Sequence, residues 1–91
     1  MLIQWSANAE RDLMRLHDFL APVNRSVAAQ VVRQLVKGAE QLLVHPQLGT
    51  SVEEFAPREV RRLLVGDYEL RYELTHTTAY ILRVWHVRED R

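Results

Sequence analysis

The chain has 91 residues, of which 47% are hydrophobic and 26% are charged, and its 12 cationic and 12 anionic side chains give a formal net charge of zero. Length and composition suit one globular domain, spanning residues 1–91. The balanced charge disfavours a polyanion as the main partner, because nucleic-acid binders carry a basic excess that displaces counterions. Without cysteine there is no disulfide and no thiolate metal site, which fits a reducing cytoplasm.

Several classes of site are missing from the sequence. No apolar run approaches the roughly 18 residues of a membrane span, and the N-terminus lacks a signal-peptide pattern. The sequence contains no GxGxxG, P-loop, HExxH or GxSxG motif. His17, His45 and His76 are scattered over predicted helix, helix end and turn, which is not a metal-ligand spacing. We therefore expect no membrane segment, no metal and no cofactor.

The N-terminal half predicts one strand and a helical hairpin. Residues 2–5 are short, apolar and β-prone, and Ser6 follows as the N-cap of a helix that runs to about Leu20. A second helix, with apolar residues at i, i+3, i+4 and i+7, begins near residues 24–26 and ends around Val44. The short connection between them predicts an antiparallel pair.

The C-terminal third predicts an antiparallel meander, after a loop over residues 50–59. Its strands are expected at 60–65, 68–75 and 80–87, with Gly66-Asp67 as a tight turn. In the middle strand the residues alternate, with an apolar face made of Tyr68, Leu70, Tyr72 and Leu74. The element order is β-α-α-β-β-β, which predicts a two-layer α+β domain with both helices on one face of the sheet.

The register of the meander aligns three arginines. A two-residue turn at 66–67 places Arg62 opposite Arg71. For the second hairpin, a three-residue loop over 76–78 keeps the apolar face consistent, whereas a two-residue loop exchanges the faces. The three-residue loop predicts the pairs Leu70 with Val84, Tyr72 with Leu82, and Leu74 with Tyr80. Arg62, Arg71 and Arg83 then lie side by side on the outer face, and we call them the arginine row.

Two interpretations of the arginine row stay open. Glu69 and Glu73 can offset the repulsion between like charges on neighbouring strands, which makes the row an ordinary solvated face. Alternatively, the row contacts an acidic partner. Trp85 is expected to be exposed on the same face, and an exposed large aromatic residue is typical of a contact surface. Arg61 is expected to point to the apolar face near Tyr72 and to bond backbone carbonyls.

Several short strings carry a resemblance to a known family. They are Trp5-Ser6 followed by Ala9 and Asp12-Leu13, then Leu43-x-x-Pro46-x-x-Gly49, Val60-Arg61-x-Leu63-x-Val65-Gly66-x-Tyr68, Tyr72, and Ile81-Leu82-Arg83-Val84-x-His86-x-Arg88. In order and spacing, over nearly the whole chain, they resemble the ParE branch of the RelE/ParE toxin superfamily. These are the toxins of bacterial type II toxin–antitoxin modules.

The resemblance implies a small cytoplasmic toxin that is neutralised by an antitoxin encoded beside it. ParE members block DNA gyrase without catalysis. The expected antitoxin is ParD-like, with a ribbon-helix-helix fold, and DNA is contacted only through it, within a toxin–antitoxin hetero-oligomer. The candidate partner-binding residues are Arg61, Arg62, Arg71, Arg83, Trp85, His86 and Arg88.

Two other functions remain as alternatives. A RelE-like, ribosome-dependent mRNA endonuclease requires a base, an acid and a cation near the phosphate. Here His86 is the candidate acid, Glu69 or Glu73 the base, and Arg71 the cation. However, RelE-type toxins have an arginine on the strand after the glycine turn, and the nearest residue to that position here is Glu69. In addition, the predicted register places His86 on the same face of the sheet as Tyr68. The other alternative is a chain that has lost toxicity and serves only to bind its antitoxin. Gyrase inhibition without a catalytic residue is favoured.

Overall fold

The computed structural model describes residues 1–89, and Asp90 and Arg91 lie outside the described part. The elements follow the predicted order, with one short strand added inside the predicted loop. They are β1 (Leu2–Trp5), α1 (Ala7–Leu20), α2 (Arg25–Glu40), β2 (Thr50–Ser51), β3 (Glu59–Val65), β4 (Tyr68–Leu74) and β5 (Thr78–His86).

The strands form one mixed sheet in the order β1-β5-β4-β3-β2. The N-terminal strand β1 runs parallel to the C-terminal strand β5, with Leu2 opposite Thr78 and Trp5 opposite Ile81. All other neighbours are antiparallel. The two ends of the chain therefore meet in the sheet, and this pairing ties the N-terminal strand to the meander.

Side-chain caps set the start of both helices. The Ser6 hydroxyl accepts a hydrogen bond from the Ala9 amide at 3.0 Å, as predicted for an N-cap. At the start of α2, the Asn24 side-chain oxygen accepts a hydrogen bond from the Val27 amide at 3.1 Å. After Glu40, residues Gln41–Leu43 continue α2 as one turn of 3₁₀ helix. The predicted hairpin is confirmed, with its second helix ending close to the expected position.

Both helices pack on one face of the sheet, as the two-layer prediction requires. The buried side chains of this core are Ala9, Leu16, Val31, Leu35, Ala39, Leu42, Leu70, Tyr72, Ala79, Ile81 and Val84. A glycine permits the close approach of α2 to the sheet, because a Cβ at Gly38 would lie 2.6 Å from Cγ2 of Val65. No helix within residues 1–89 is long and apolar enough to cross a bilayer.

The second hairpin differs from its predicted register only between its loop and a bulge in β5. Thr75 donates its amide to the Thr78 carbonyl at 2.9 Å, so the loop has two residues, not the three that were predicted. The predicted pairs of Tyr72 with Leu82 and of Leu74 with Tyr80 are wrong, since Tyr72 lies opposite Ile81 and Leu74 opposite Ala79.

Leu82 is the extra residue of the bulge. Beyond it the predicted pairs return, Arg71 with Arg83 and Leu70 with Val84. One inserted residue moves every following side chain to the other face of a strand. Ile81 and Val84 can therefore both face the helices although they are three positions apart.

The opposite face of the sheet, which we call the back face, is covered in part by residues 52–58. The Val52 amide donates to the Val60 carbonyl at 2.8 Å, and Val60 is fully buried although its side chain points away from the helices. A 3₁₀ turn, Glu53–Phe55, follows and lays Phe55 over Arg71. The segment predicted as a loop thus shields one end of the back face.

Candidate functional site

The arginine row exists in the predicted register. Arg62 lies opposite Arg71, and Arg71 lies opposite Arg83, across β3, β4 and β5. Its members differ in surroundings: Arg62 is exposed, Arg71 is half-buried, and Arg83 turns toward α1. Each member therefore has to be considered separately as a binding group.

Arg83 is held by a carboxylate on the first helix. Its Nε and one Nη donate to Asp12 at 2.8 and 3.1 Å, and the Val84 amide donates to the same carboxylate at 2.9 Å. Burial raises the pKa of Asp12, but the hydrogen bonds from Arg83 and Val84 outweigh it, so that the pKa lies below its ordinary value. This carboxylate stays ionised at neutral pH and fixes Arg83.

Helix α1 replaces a missing strand along the outer edge of β5. Beyond Ile81, where the pairing with β1 ends, the Ser6 hydroxyl donates to the Leu82 carbonyl at 3.0 Å. Asp12 accepts from the Val84 amide, and Arg15 donates to the Val84 carbonyl at 3.4 Å. Side chains of one helix thus satisfy the backbone groups of an otherwise open edge.

Aromatic rings alternate with guanidinium groups across the back face. Arg58 and Arg71 lie 5.9 and 5.8 Å from the ring centre of Phe55, and Arg71 and Arg83 lie 5.0 and 5.8 Å from that of Trp85. Distances below about 6 Å are typical of cation–π contacts. The rings thereby partly shield these guanidinium groups from solvent.

The prediction that Trp85 is exposed is wrong, because its side chain is only 6% exposed. The physical reason is the arginine stack just described, which covers the indole on a face that alternation alone marks as solvated. Trp85 therefore offers little area to a partner in the described structure, and its role is to pack the back face.

The acidic residues of this face are also engaged. Glu69 is 2% exposed and accepts a hydrogen bond from Arg71 at 3.0 Å. Glu73 accepts from Arg58 at 2.6 and 3.1 Å, and these hydrogen bonds lower the pKa of Glu73. The interpretation of the row as a glutamate-paired face applies to Arg71. Arg62 has no salt-bridge partner within residues 1–89.

Arg61 points to the helix face opposite Tyr72, as predicted. It donates to the Gly49 carbonyl at 2.7 Å and to the Gln47 carbonyl at 3.3 Å. The hydroxyl of Tyr72 completes this cluster by accepting from the Gly49 amide at 2.9 Å and donating to the Pro46 carbonyl at 2.8 Å. Arg61 therefore fixes the turn over residues 46–49.

His86 lies away from the candidate base and cation of the endonuclease alternative. It stands opposite Tyr68, and the two rings meet edge to face at 5.2 Å between centres. Glu69 and Arg71 flank Trp85 on the back face. The prediction that His86 and Glu69 occupy different faces is confirmed, so these residues do not converge on one substrate atom.

The last described residues form a turn that is held against α1. Glu89 accepts from the Arg15 guanidinium at 2.7 Å and from the His86 amide at 2.8 Å. The Arg88 amide donates to Nδ1 of His86 at 3.0 Å, and the Val87 amide donates to the Asp67 carbonyl at 2.9 Å. His86 thus serves as an acceptor within its own chain.

Between α1 and this turn lies an open cavity of 530 Å³, which we call the helix–tail groove. Its floor is apolar or aromatic and its rim is charged or polar. The floor consists of Leu16, Phe19, Leu20 and Tyr68, and the rim of Arg15, His86, Arg88 and Glu89. Burial, together with Asp67 and Glu89, raises the pKa of Tyr68, so its phenol remains neutral. Within residues 1–89 no cluster of ligands suits a metal ion.

Comparison with protein-family models identifies the family of this chain. The family model for the ParE toxin of type II toxin-antitoxin systems, parDE, matches residues 3–91. The chain belongs to the ParE toxin family. No protein with a curated description matches it.

Solved structures share the ParE-like fold. A chain of the chromosomal ParDE toxin–antitoxin system from P. aeruginosa superposes with a TM-score of 0.77 at 20% identity, covering 94% of this chain and 95% of that one. A chain of the toxin–antitoxin complex RelBE2 from Mycobacterium tuberculosis gives 0.69 at 28% identity, covering 93% and 95%. The α+β architecture of this ParE-family toxin is therefore shared with both branches of the superfamily.

The sequence did not reveal two features of this ParE-family chain that bear on binding. The sequence singles out Asp12 only within the string Asp12-Leu13, yet its carboxylate determines where Arg83 points. Phe19 belongs to no motif of the sequence, yet it is 78% exposed at the helix–tail groove. Its spacing of three residues from the buried Leu16 places Phe19 on the same side of α1, so the periodicity gave no signal of this exposure.

Proposed function

We propose that this ParE-family toxin is a non-catalytic, cytoplasmic inhibitor of DNA gyrase. A ParD-like, ribbon-helix-helix antitoxin neutralises it in a toxin–antitoxin hetero-oligomer, and contact with DNA is made through that antitoxin. The match of the ParE family model over residues 3–91 supports the assignment to gyrase. The antitoxin partner is supported by the RelBE2 structure, which is a toxin–antitoxin complex.

One geometric observation carries the non-catalytic part of the proposal. A general base must reach the proton that it removes, within hydrogen-bond distance or through one water. Glu69 is buried beneath the back face beside Arg71, whereas His86 faces Tyr68 and accepts the Arg88 amide. The acid and base of the endonuclease alternative thus lie on different faces, and this arrangement disfavours catalysis by these residues.

The test is supercoiling of relaxed plasmid by purified gyrase in the presence of the purified chain. We expect inhibition at micromolar concentrations, with the His86→Ala variant as active as the wild type, because no step depends on the imidazole. A heat-denatured sample serves as the control for nonspecific effects. Full gyrase activity in the presence of folded, wild-type protein would exclude this target.

The endonuclease remains the second candidate, because the 28% identity to a RelBE2 chain is higher than that to the ParDE chain. Primer extension on translated mRNA decides between the two. Cleavage by the wild type that is lost in the His86→Ala variant would establish the enzyme. The third possibility is a chain that only binds its antitoxin. Growth arrest upon expression of the toxin alone would exclude it.

A further inference from the structure

The segment that crosses the back face, residues 52–58, has no anchor in the core, and we call it the strap. None of its residues is buried, and only Val52 and Phe55 are half-buried. Segments with few buried apolar contacts open locally at a much lower free-energy cost than the whole domain. The strap is therefore held to the sheet mainly by contacts at its surface.

Two polar contacts join the ends of the strap to the sheet. The Val52 amide donates to the Val60 carbonyl at 2.8 Å. At the other end, the Arg58 guanidinium donates to the Glu73 carboxylate at 2.6 and 3.1 Å. The side chain of Arg58 is 54% exposed in this ion pair, and exposed ion pairs contribute little to stability. Neither contact therefore makes the closed position of the strap permanent.

The strap is stiffened by hydrogen bonds of its own. The Phe55 amide donates to the Val52 carbonyl at 3.2 Å, and the Ala56 amide donates to the Glu53 carbonyl at 3.0 Å. The Arg58 amide donates to the Phe55 carbonyl at 2.9 Å, and its guanidinium lies over the Phe55 ring. Because these contacts do not involve the sheet, they can persist when the strap lifts, and residues 52–58 can move as one unit.

Beneath the strap lie an apolar side chain and the central cation of the arginine row. Val60 is fully buried although its side chain is on the back face, and Arg71 is half-buried under the Phe55 ring at 5.8 Å. Lifting the strap uncovers Val60 and one face of the Arg71 guanidinium. Arg62, which lies opposite Arg71, is already exposed. An open strap therefore leaves an apolar surface beside two cations.

We propose that the strap is a gate over the centre of the arginine row, and that it opens as a unit while the rest of the domain stays folded. The structure describes the closed form. Only the open form presents Val60 and Arg71 together, so a ligand that needs both binds with an affinity reduced by the open fraction. The gate is a property of this fold and does not depend on whether gyrase is the target.

The absence of cysteine from the chain makes the opening measurable. Val60→Cys places a single thiol under the strap, and its reaction with an aromatic disulfide reagent reports each exposure. Ala79→Cys is the matched control, because Ala79 is fully buried in the core between the sheet and the helices. Each labelling rate is compared with the free energy of unfolding of the same variant in urea, so that a loss of global stability is not mistaken for opening of the strap.

We expect Val60→Cys to react at least about a hundredfold faster than its global unfolding allows, and Ala79→Cys to react only through global unfolding. Adding Glu73→Gln, which removes the charge that holds Arg58, should speed the labelling of the Val60→Cys protein about two- to fivefold. Glu54→Gln is the control on the strap itself, since Glu54 is exposed and has no ion-pair partner within residues 1–89, and it should leave the rate unchanged.

Hydrogen exchange in the cysteine-free chain provides a second measurement, which decides the question if Val60→Cys does not fold. The Val52 amide should exchange much faster than the Val84 amide, which Asp12 holds in the core, and Glu73→Gln should accelerate Val52 alone. Labelling of Val60→Cys at the rate of global unfolding, or Val52 exchange as slow as that of Val84, would overturn the proposal. Rapid labelling that Glu73→Gln leaves unchanged would assign the exposure to another motion and overturn it as well.

Discussion

Asp12 and Arg83, far apart in the chain, form a two-point ion pair with N–O distances of 2.8 and 3.1 Å. The same carboxylate accepts the amide of Val84 at 2.9 Å. This contact joins α1 to β5 just past the bulge, where no strand pairs with the outer edge of β5. It also turns the third member of the arginine row toward the helix.

Asp12→Asn should destabilise the fold. The variant loses the charge that holds Arg83, while its amide oxygen can still accept the Val84 amide. Because Arg83 is half exposed, we expect a loss at the low end for hydrogen bonds to charged groups, about 1–2 kcal/mol in the free energy of unfolding. Urea unfolding followed by circular dichroism measures it. Asp18→Asn, on the exposed side of the same helix, is the control and should change little.

The contribution of Asp12 should depend on pH. Its pKa is lower in the folded protein than in the unfolded chain, so its stabilising effect is present above the unfolded pKa of about 3.9 and is lost as the pH falls through the folded value. The difference in unfolding free energy between wild type and Asp12→Asn should therefore be largest near pH 7 and shrink toward pH 3. A difference that stays constant between these pH values would contradict the assignment.

Tyr72→Phe should cost about 1–3 kcal/mol in the free energy of unfolding. The variant keeps the ring in the core but leaves the Gly49 amide, which is buried, without its acceptor at 2.9 Å, and it leaves the Pro46 carbonyl without its donor. Thermal and urea unfolding provide the measurement. Tyr80→Phe is the matched control, because no hydrogen bond of its hydroxyl is present in the described structure, and it should be nearly neutral.

Charge reversal should separate the members of the arginine row. Arg83→Glu places a second carboxylate against Asp12 and should unfold the protein at a clearly lower temperature. Arg62→Glu should melt like the wild type, because Arg62 is exposed and has no ion-pair partner within residues 1–89. If the row contacts an acidic antitoxin, Arg62→Glu weakens that complex about tenfold. Unchanged affinity would make the row an ordinary surface.

The fold could largely be predicted from periodicity and turn chemistry. Ser6 and Gly66 marked a helix start and a hairpin turn, and the alternation in β4 identified the buried face. The bulge at Leu82 could not be predicted, because a three-residue loop without a bulge and a two-residue loop with one give the same pairs at Arg71 and Leu70. Alternation specifies faces and leaves the position of an inserted residue undetermined.

The candidate site was less predictable because its residues meet through tertiary contacts. The sequence aligned Arg71 with Arg83, but only the packed helix shows that Asp12 binds Arg83. Trp85 was expected to be exposed, since no local pattern reveals that Arg71 and Arg83 stack on its ring. The helix–tail groove combines α1 with the C-terminal turn, 74 positions apart at Arg15 and Glu89, and no motif spans that separation.

Gyrase inhibition is tested most directly by the topology of a reporter plasmid extracted from cells in which the toxin is induced without its antitoxin. We expect growth arrest and plasmid that has lost negative supercoiling, with translated mRNA intact in the same cells. Growth arrest with normally supercoiled plasmid and cleaved mRNA would contradict it.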